Sequence, residues 1–153
     1  MTAAKPEIVL IGPLKPLVVK GLEAVCVVHK MAEATDNDMF VATNSHARAI
    51  ACSATTERIP GTFMARFPSL EIVSSFGVGY DHMDVKWAAE HGVIVTNTPN
   101  VLTEEVADTA FGLLLCTVRE LPQAERYLRG GKWQTGDYPL TKATLRNRTV
   151  GMV

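Results

Sequence analysis

The chain has no apolar run long enough to cross a bilayer. Its longest, AFGLLLCTV at 110–118, falls well short of the roughly 20 residues that a spanning helix needs. It has no block of Lys or Arg either, and 15 basic residues against 16 acidic ones leave a formal charge of −1. That balance argues against a general nucleic-acid binder and against a polybasic membrane anchor. Cysteine is scarce, and Cys26, Cys52 and Cys116 are odd in number, widely separated and set among apolar residues. Such thiols fit reduced, buried positions better than a disulfide framework or a metal site. The amino terminus, MTAAKPEIVLIG, lacks the basic region and apolar core of a secretory signal, so a cytoplasmic protein is expected.

What is present is a chain of 153 residues, 47% apolar and 20% charged, the composition of a globular domain with a real core. Short β-rich runs alternate with helical patterns and turn signals, as they do in βα units that build a parallel sheet. Strands are predicted at 7–11, 25–29, 49–52, 71–75 and 93–96, with helices near 16–22, 38–45, 60–67 and 84–91. This pattern predicts an α/β fold: a flavodoxin-like, doubly wound parallel sheet over residues 1–100.

The character of the sequence changes after TNTPN at 96–100. TEEVADTAFGLLLCTVR at 103–119 predicts one long helix with a Thr cap, acidic residues in its first turn and Arg in its last. Its apolar residues cover more than one stripe, so burial on several sides is expected. A second helix is predicted at 121–129, ending at Gly130-Gly131, and the closing TVGMV at 149–153 reads as a fresh strand.

Gly77-Val78-Gly79 follows the fourth predicted strand, at the carboxyl edge where open parallel sheets place ligands. Glycine lets the backbone turn freely and brings amides close to an anion such as a small carboxylate. A tight turn before the next helix explains the same glycines equally well. Ser53, Thr55 and Thr56 follow the third strand, and their hydroxyls either orient a polar substrate or simply build a turn. Asp81, His82 and Asp84 suggest a His–Asp pair, yet Asp84 is placed to cap the next helix and a local packing role for His82 is favoured. His29, His46 and His91 share no ligand spacing, and no metal site is expected.

SSFGVGYDHMDVKWAAEHGVIVTNTPNVLTEEVADTAFGLLL, RELPQAERYLRGGKW and LRNRTVGMV together resemble the amino-terminal part of the D-isomer-specific 2-hydroxyacid dehydrogenases. Within that family the resemblance is to the glyoxylate/hydroxypyruvate reductase branch. It implies a flavodoxin-like substrate domain at 1–100. It also implies that 101–153 holds an interdomain helix, a dimerisation helix and the first strand of a truncated Rossmann domain.

The activity implied is hydride transfer between NAD or NADP and a small 2-oxo or 2-hydroxy acid, in a homodimer. By the same resemblance Val78 and Gly79 match the loop whose amides receive the substrate carboxylate, and Ser53 matches a second loop lining that pocket. Val106 matches a position beside the nicotinamide, where many relatives carry Thr. The glycine-rich pyrophosphate turn, the substrate Arg and the Glu–His proton pair of the family are expected beyond Val153, so no catalytic residue is expected within the chain. A non-catalytic interaction module of the same fold is the alternative, built on the apolar surfaces of 103–128.

Overall fold

The computed structural model describes residues 4–56, 58–141 and 143–152. They divide into two compact units, with the division between Val101 and Leu102.

The first unit is a five-stranded parallel sheet in the order β2-β1-β3-β4-β5, the flavodoxin-like arrangement. Its strands are β1 (Glu7–Leu10), β2 (Val27–Lys30), β3 (Ala49–Ser53), β4 (Ile72–Phe76) and β5 (Ile94–Thr96). The connecting helices are α1 (Pro16–Val25), α2 (Asn37–Thr43), α3 (Gly61–Met64) and α4 (Val85–Glu90). The central strands β1 and β3 are apolar on both faces, and Ile8, Val9, Leu10, Ile50 and Cys52 are buried, as expected where helices cover a parallel sheet. In β4 the pattern alternates, with Val73 and Ser75 buried while Ser74 and Phe76 are exposed. Val41, Ile59, Met64, Phe67, Met83 and Ala88 complete the core from the helices and turns.

Local signals explain most boundaries. Pro16 opens α1, where its missing N–H costs nothing. Asp36 caps α2 by accepting from the Asp38 and Met39 amides at 2.8 and 3.0 Å, and Asp84 caps α4 by accepting from the Trp87 amide at 3.0 Å. Helix α1 continues to Val25, so β2 begins at Val27 rather than at the predicted residue 25. Helix α3 is shorter than predicted. Turn bonds from Phe67 N–H to Met64 O and from Leu70 N–H to Phe67 O replace its last turn around Pro68, because proline cannot continue the helical ladder.

The second unit contains α5 (Thr103–Arg119) and α6 (Leu121–Arg129). Glu120 joins them in the left-handed conformation, φ 53°, and its carboxylate accepts from the Tyr138 hydroxyl at 2.7 Å. The Tyr127 hydroxyl donates to Gly136 O at 2.8 Å, and the two tyrosine rings meet edge to face at 5.4 Å. These contacts hold the loop after α6 against that helix.

Three expectations need correcting here. Leu102, not Thr103, stands at the N-cap of α5, and no side chain caps it. No residue of α5 is buried, so its wide apolar surface is open in this chain. Residues 149–152 form no strand, because no neighbouring strand supplies the hydrogen bonds that define one; Val153 lies outside the described residues. Among the described residues no helix is long and apolar enough to cross a membrane.

Candidate functional site

The loop after β4 is fastened on one side. Thr98 N–H donates to Gly77 O at 2.9 Å, and the Asn97 side-chain amide donates to Val78 O at 2.8 Å. In a trans peptide the N–H points opposite to the C=O. Pinning the Gly77 and Val78 carbonyls to residues 97–98 therefore turns the N–H groups of Val78 and Gly79 away from that segment. Among the described residues neither N–H has a protein acceptor. Val78 is 44% exposed. Free backbone donors at the carboxyl edge of a parallel sheet are the kind of group to which a small anion can bind.

The two glycines play different parts. Neither has a positive φ, so the conformational freedom anticipated for this loop is not what the turn uses. A Cβ at Gly77 would lie 2.3 Å from the Ala54 Cβ, which makes Gly77 the point where the exits of β3 and β4 touch. At Gly79 the nearest neighbour of an added Cβ is an Asp81 carboxylate oxygen at 3.9 Å. The space beside Gly79 is open.

Ser53 ends β3 opposite Phe76 in register, so the fold brings it to the same sheet edge as the glycine loop. Its hydroxyl lies 3.0 Å from Thr55 Oγ1 and 3.2 Å from Thr56 Oγ1, and its N–H donates to Thr56 Oγ1 at 3.0 Å. Thr56 Oγ1 in turn donates to Ile11 O at 3.2 Å. Ser53 is buried, and this hydroxyl knot ties the exits of β1 and β3 together. Gly12, at φ 71°, fits beside it because a Cβ there would come within 2.9 Å of Thr56 Oγ1.

His82 folds inward beneath the loop. Its Nε2 is 3.3 Å from Ser75 Oγ and 3.8 Å from Cys52 Sγ, contacts that support the local packing role expected for it. Burial raises the Cys52 thiol pKa, against a smaller opposing effect from the Ser75 hydroxyl, so Cys52 stays a neutral thiol. Asp81 and Asp84 do not form a pair with His82 among the described residues, and Asp84 is committed to capping α4.

Two contributors were not legible from the motif. Asn97, the residue after β5, fastens the loop, and Arg58 lines a depression of about 260 Å³ together with Ala54, Gly79, Asp81 and His82. Arg58 supplies a positive charge near Gly79 that an anion would favour. Nothing in the spacing of either residue announces this, because both reach the loop through the sheet rather than along the chain.

Val106 belongs to the second unit, in the first turn of α5. Its N–H is taken by Leu102 O at 2.9 Å, which leaves its methyl groups and an exposed position. Elsewhere in the first unit the sheet brings together residues with no common spacing in the sequence. Glu7 Oε2 accepts from His29 Nε2 and from His46 Nε2, both at 2.8 Å. These two hydrogen bonds, His46 first, hold the Glu7 carboxyl below its usual pKa against the smaller opposing effect of burial.

A five-stranded parallel sheet in flavodoxin-like order, with two unpaired amides at its carboxyl edge among the described residues, defines an α/β domain of the substrate-domain kind. Residues 8–150 match the family described as D-isomer specific 2-hydroxyacid dehydrogenase, catalytic domain, and the chain belongs to that family. It is similar to a glyoxylate/hydroxypyruvate reductase A from Arabidopsis thaliana, 50% identical over 86 residues that cover 56% of this chain and 27% of the relative. Among solved structures it is similar to a 2-hydroxyacid dehydrogenase from Ketogulonicigenium vulgare, with TM-score 0.79 and 37% identity over 92% of this chain and 45% of that one. A third relative is the NADPH-dependent glyoxylate/hydroxypyruvate reductase from Sinorhizobium meliloti in complex with NADP and malonate. It has TM-score 0.74 and 46% identity over 95% of this chain and 45% of that one. The chain thus spans less than half the length of these relatives.

Proposed function

We propose that the chain is the substrate-receiving part of an NAD(P)-dependent oxidoreductase that transfers a hydride between a nicotinamide and a small 2-oxo or 2-hydroxy acid, of the size of glyoxylate or hydroxypyruvate. The observation that carries this reading is the pair of free amides on Val78 and Gly79, aimed by Asn97 and Thr98, in a chain of this family. A carboxylate accepting both N–H groups would gain charge-assisted hydrogen bonds and a fixed orientation for its carbonyl carbon. Ser53 acts through the hydroxyl knot that sets the neighbouring loop. Val106 offers methyl groups to the nicotinamide, and hydride chemistry is supplied by the dinucleotide when it is bound. Residues 1–100 form the substrate domain, and residues 101–153 carry the interdomain helix, a dimerisation helix and the start of the dinucleotide-binding domain.

A titration of the 15N-labelled chain with glyoxylate or hydroxypyruvate tests the site directly. The Val78 and Gly79 amide resonances should move first and saturate, and a titration that leaves both in place would refute the assignment. A second reading, a non-catalytic module that assembles through its helices, is favoured by one observation: Val106, Phe111, Leu113, Leu121 and Leu128 are all exposed. An apolar surface of that kind marks a contact, and it serves equally for the homodimer expected of the enzyme.

A further inference from the structure

Glu7, His29 and His46 come from three separate stretches of sequence. Glu7 opens β1, His29 lies in β2, and His46 sits in the turn that enters β3. Glu7 pairs with Val27 in register, and His29, two residues further along β2, projects on the same face as Val27. His46 approaches the same carboxylate from the other side of β1. The three ligand-type atoms lie within 4.8 Å of one another. The side chains are 28% (His29), 41% (Glu7) and 55% (His46) exposed, so an ion could reach them from solvent. Glu7 Oε1 has no hydrogen-bond partner among the described residues. The cluster lies toward the amino-terminal end of the parallel sheet, opposite to the edge that carries Val78 and Gly79.

We propose that Glu7, His29 and His46 form a binding site for a divalent transition-metal ion of the zinc class. Two imidazole nitrogens and one carboxylate oxygen are the donor set that zinc, nickel and copper prefer, whereas calcium and magnesium favour oxygen ligands alone. Ligands around a tetrahedral zinc stand about 3.3 Å apart, given zinc–ligand distances of about 2.0–2.2 Å. The two 2.8 Å nitrogen–oxygen separations need to open by about 0.5 Å, and the two imidazole nitrogens, within 4.8 Å of each other, need to settle at a similar spacing. That movement is available to half-exposed side chains. Both imidazoles bind in their neutral form, with the ring proton moved from Nε2 to Nδ1, and the ion's positive charge takes the place of the two protons now facing the carboxylate. Three protein ligands leave a fourth position for water.

Calorimetric titration of the tag-free chain with zinc chloride, repeated with nickel, tests the site. One saturable ion per chain is expected, with a rise in the thermal midpoint because the ion binds the assembled site of the folded state more tightly than the unfolded chain. His46→Gln, at the most exposed position of the three, should weaken binding at least 10-fold while circular dichroism stays unchanged. Glu7→Gln should do the same, and His29→Gln combined with His46→Gln should abolish binding. Cobalt provides a second readout, since its visible absorption should report nitrogen and oxygen ligands and be lost in the double variant. Replacing Cys26 and Cys116 with serine should leave the affinity intact. The proposal is overturned if millimolar zinc gives no saturable binding, if the His46→Gln and Glu7→Gln proteins bind as tightly as the parent, or if binding disappears with the cysteines.

Discussion

A methyl group added at Gly77 would lie 2.3 Å from the Ala54 Cβ and 3.2 Å from the Ala54 backbone nitrogen. Neither neighbour is the end of a flexible side chain, so Gly77→Ala must move the β3 exit or the glycine loop itself. A destabilisation of about 1–3 kcal/mol is expected, the usual cost of overpacking, together with weaker carboxylate binding; urea unfolding and the amide titration measure the two effects. Gly79→Ala is the contrasting case. With nothing closer than 3.9 Å and no positive φ, it should leave stability within about 0.5 kcal/mol of the parent. Any loss in that variant should appear in binding, where the new methyl group stands beside the free amide. The thiols separate by the same reasoning. Cys52 is fully buried and its pKa is raised chiefly by desolvation, while Cys26 and Cys116 are only partly buried. Because the thiolate is the reacting species, iodoacetamide near neutral pH should label Cys26 and Cys116 well before Cys52, and mass spectrometry of the labelled peptides would show the order. Equal labelling of all three in the folded protein would contradict the burial of Cys52.

At the scale of elements, the segment after β5 aims a loop that it does not belong to. Asn97→Ala removes the donor to Val78 O and frees the Val78–Gly79 peptide to rotate. The unfastened loop must be reordered when an acid binds, and a reordering cost of up to one exposed hydrogen bond, about 0.5–1.5 kcal/mol, corresponds to an affinity weaker by up to roughly 12-fold, with the folding stability lowered by no more than the same energy. Asp84→Ala should do the reverse. It removes the cap of α4 at a cost of about 1 kcal/mol and should lower the midpoint while leaving the Val78 and Gly79 resonances in place. These elements also show what a one-dimensional reading can carry. The five strands were legible because β1 and β3 are buried apolar runs bounded by turn residues. Helix α5 was legible from end to end because Glu104, Glu105 and Arg119 mark its termini. The short α3 is overextended in the sequence reading, since the apolar Met64, Ala65 and Phe67 continue into turns around Pro68 that periodicity alone does not distinguish from helix. The proposed anion loop was visible as a glycine pair, but the residues that fasten and flank it were not. Asn97 and Arg58 are separated from it in sequence, and the sheet, not the spacing, delivers them. Ser53 was placed at the correct edge, while its bonding to Thr55 and Thr56 depends on a three-dimensional turn that composition could suggest only as one of two alternatives.

For the molecule as a whole, the open apolar surface of α5 and α6 sets the first expectation. Leaving Phe111, Leu113 and Leu128 in water is unfavourable by about 25 cal/mol for each Å² that association could bury, so the chain should form a two-fold dimer at micromolar concentration. Sedimentation equilibrium would show it, and Leu113→Asp should shift the distribution toward monomer because a carboxylate would have to be desolvated at the contact. The proposed reaction sets the second. Hydride transfer needs the dinucleotide held with its reactive carbon within about 3–3.5 Å of the substrate carbon. Binding the pyrophosphate calls for a glycine-rich turn at a helix amino terminus, and these 153 residues contain no G-x-G-x-x-G. On the proposed site the amides of Val78 and Gly79 would offer two charge-assisted hydrogen bonds of about 1.5–3 kcal/mol each, before the cost of ordering the ligand is subtracted. The 153 residues by themselves should therefore bind a small 2-oxo acid weakly and show no NADH- or NADPH-dependent reduction of glyoxylate or hydroxypyruvate. Nicotinamide absorbance at saturating acid, alongside a dinucleotide fluorescence titration, measures both halves of the expectation. Turnover from this chain alone would mean that His82 or another of its own residues handles the proton, and the assignment of His82 to packing beneath the loop would have to be abandoned.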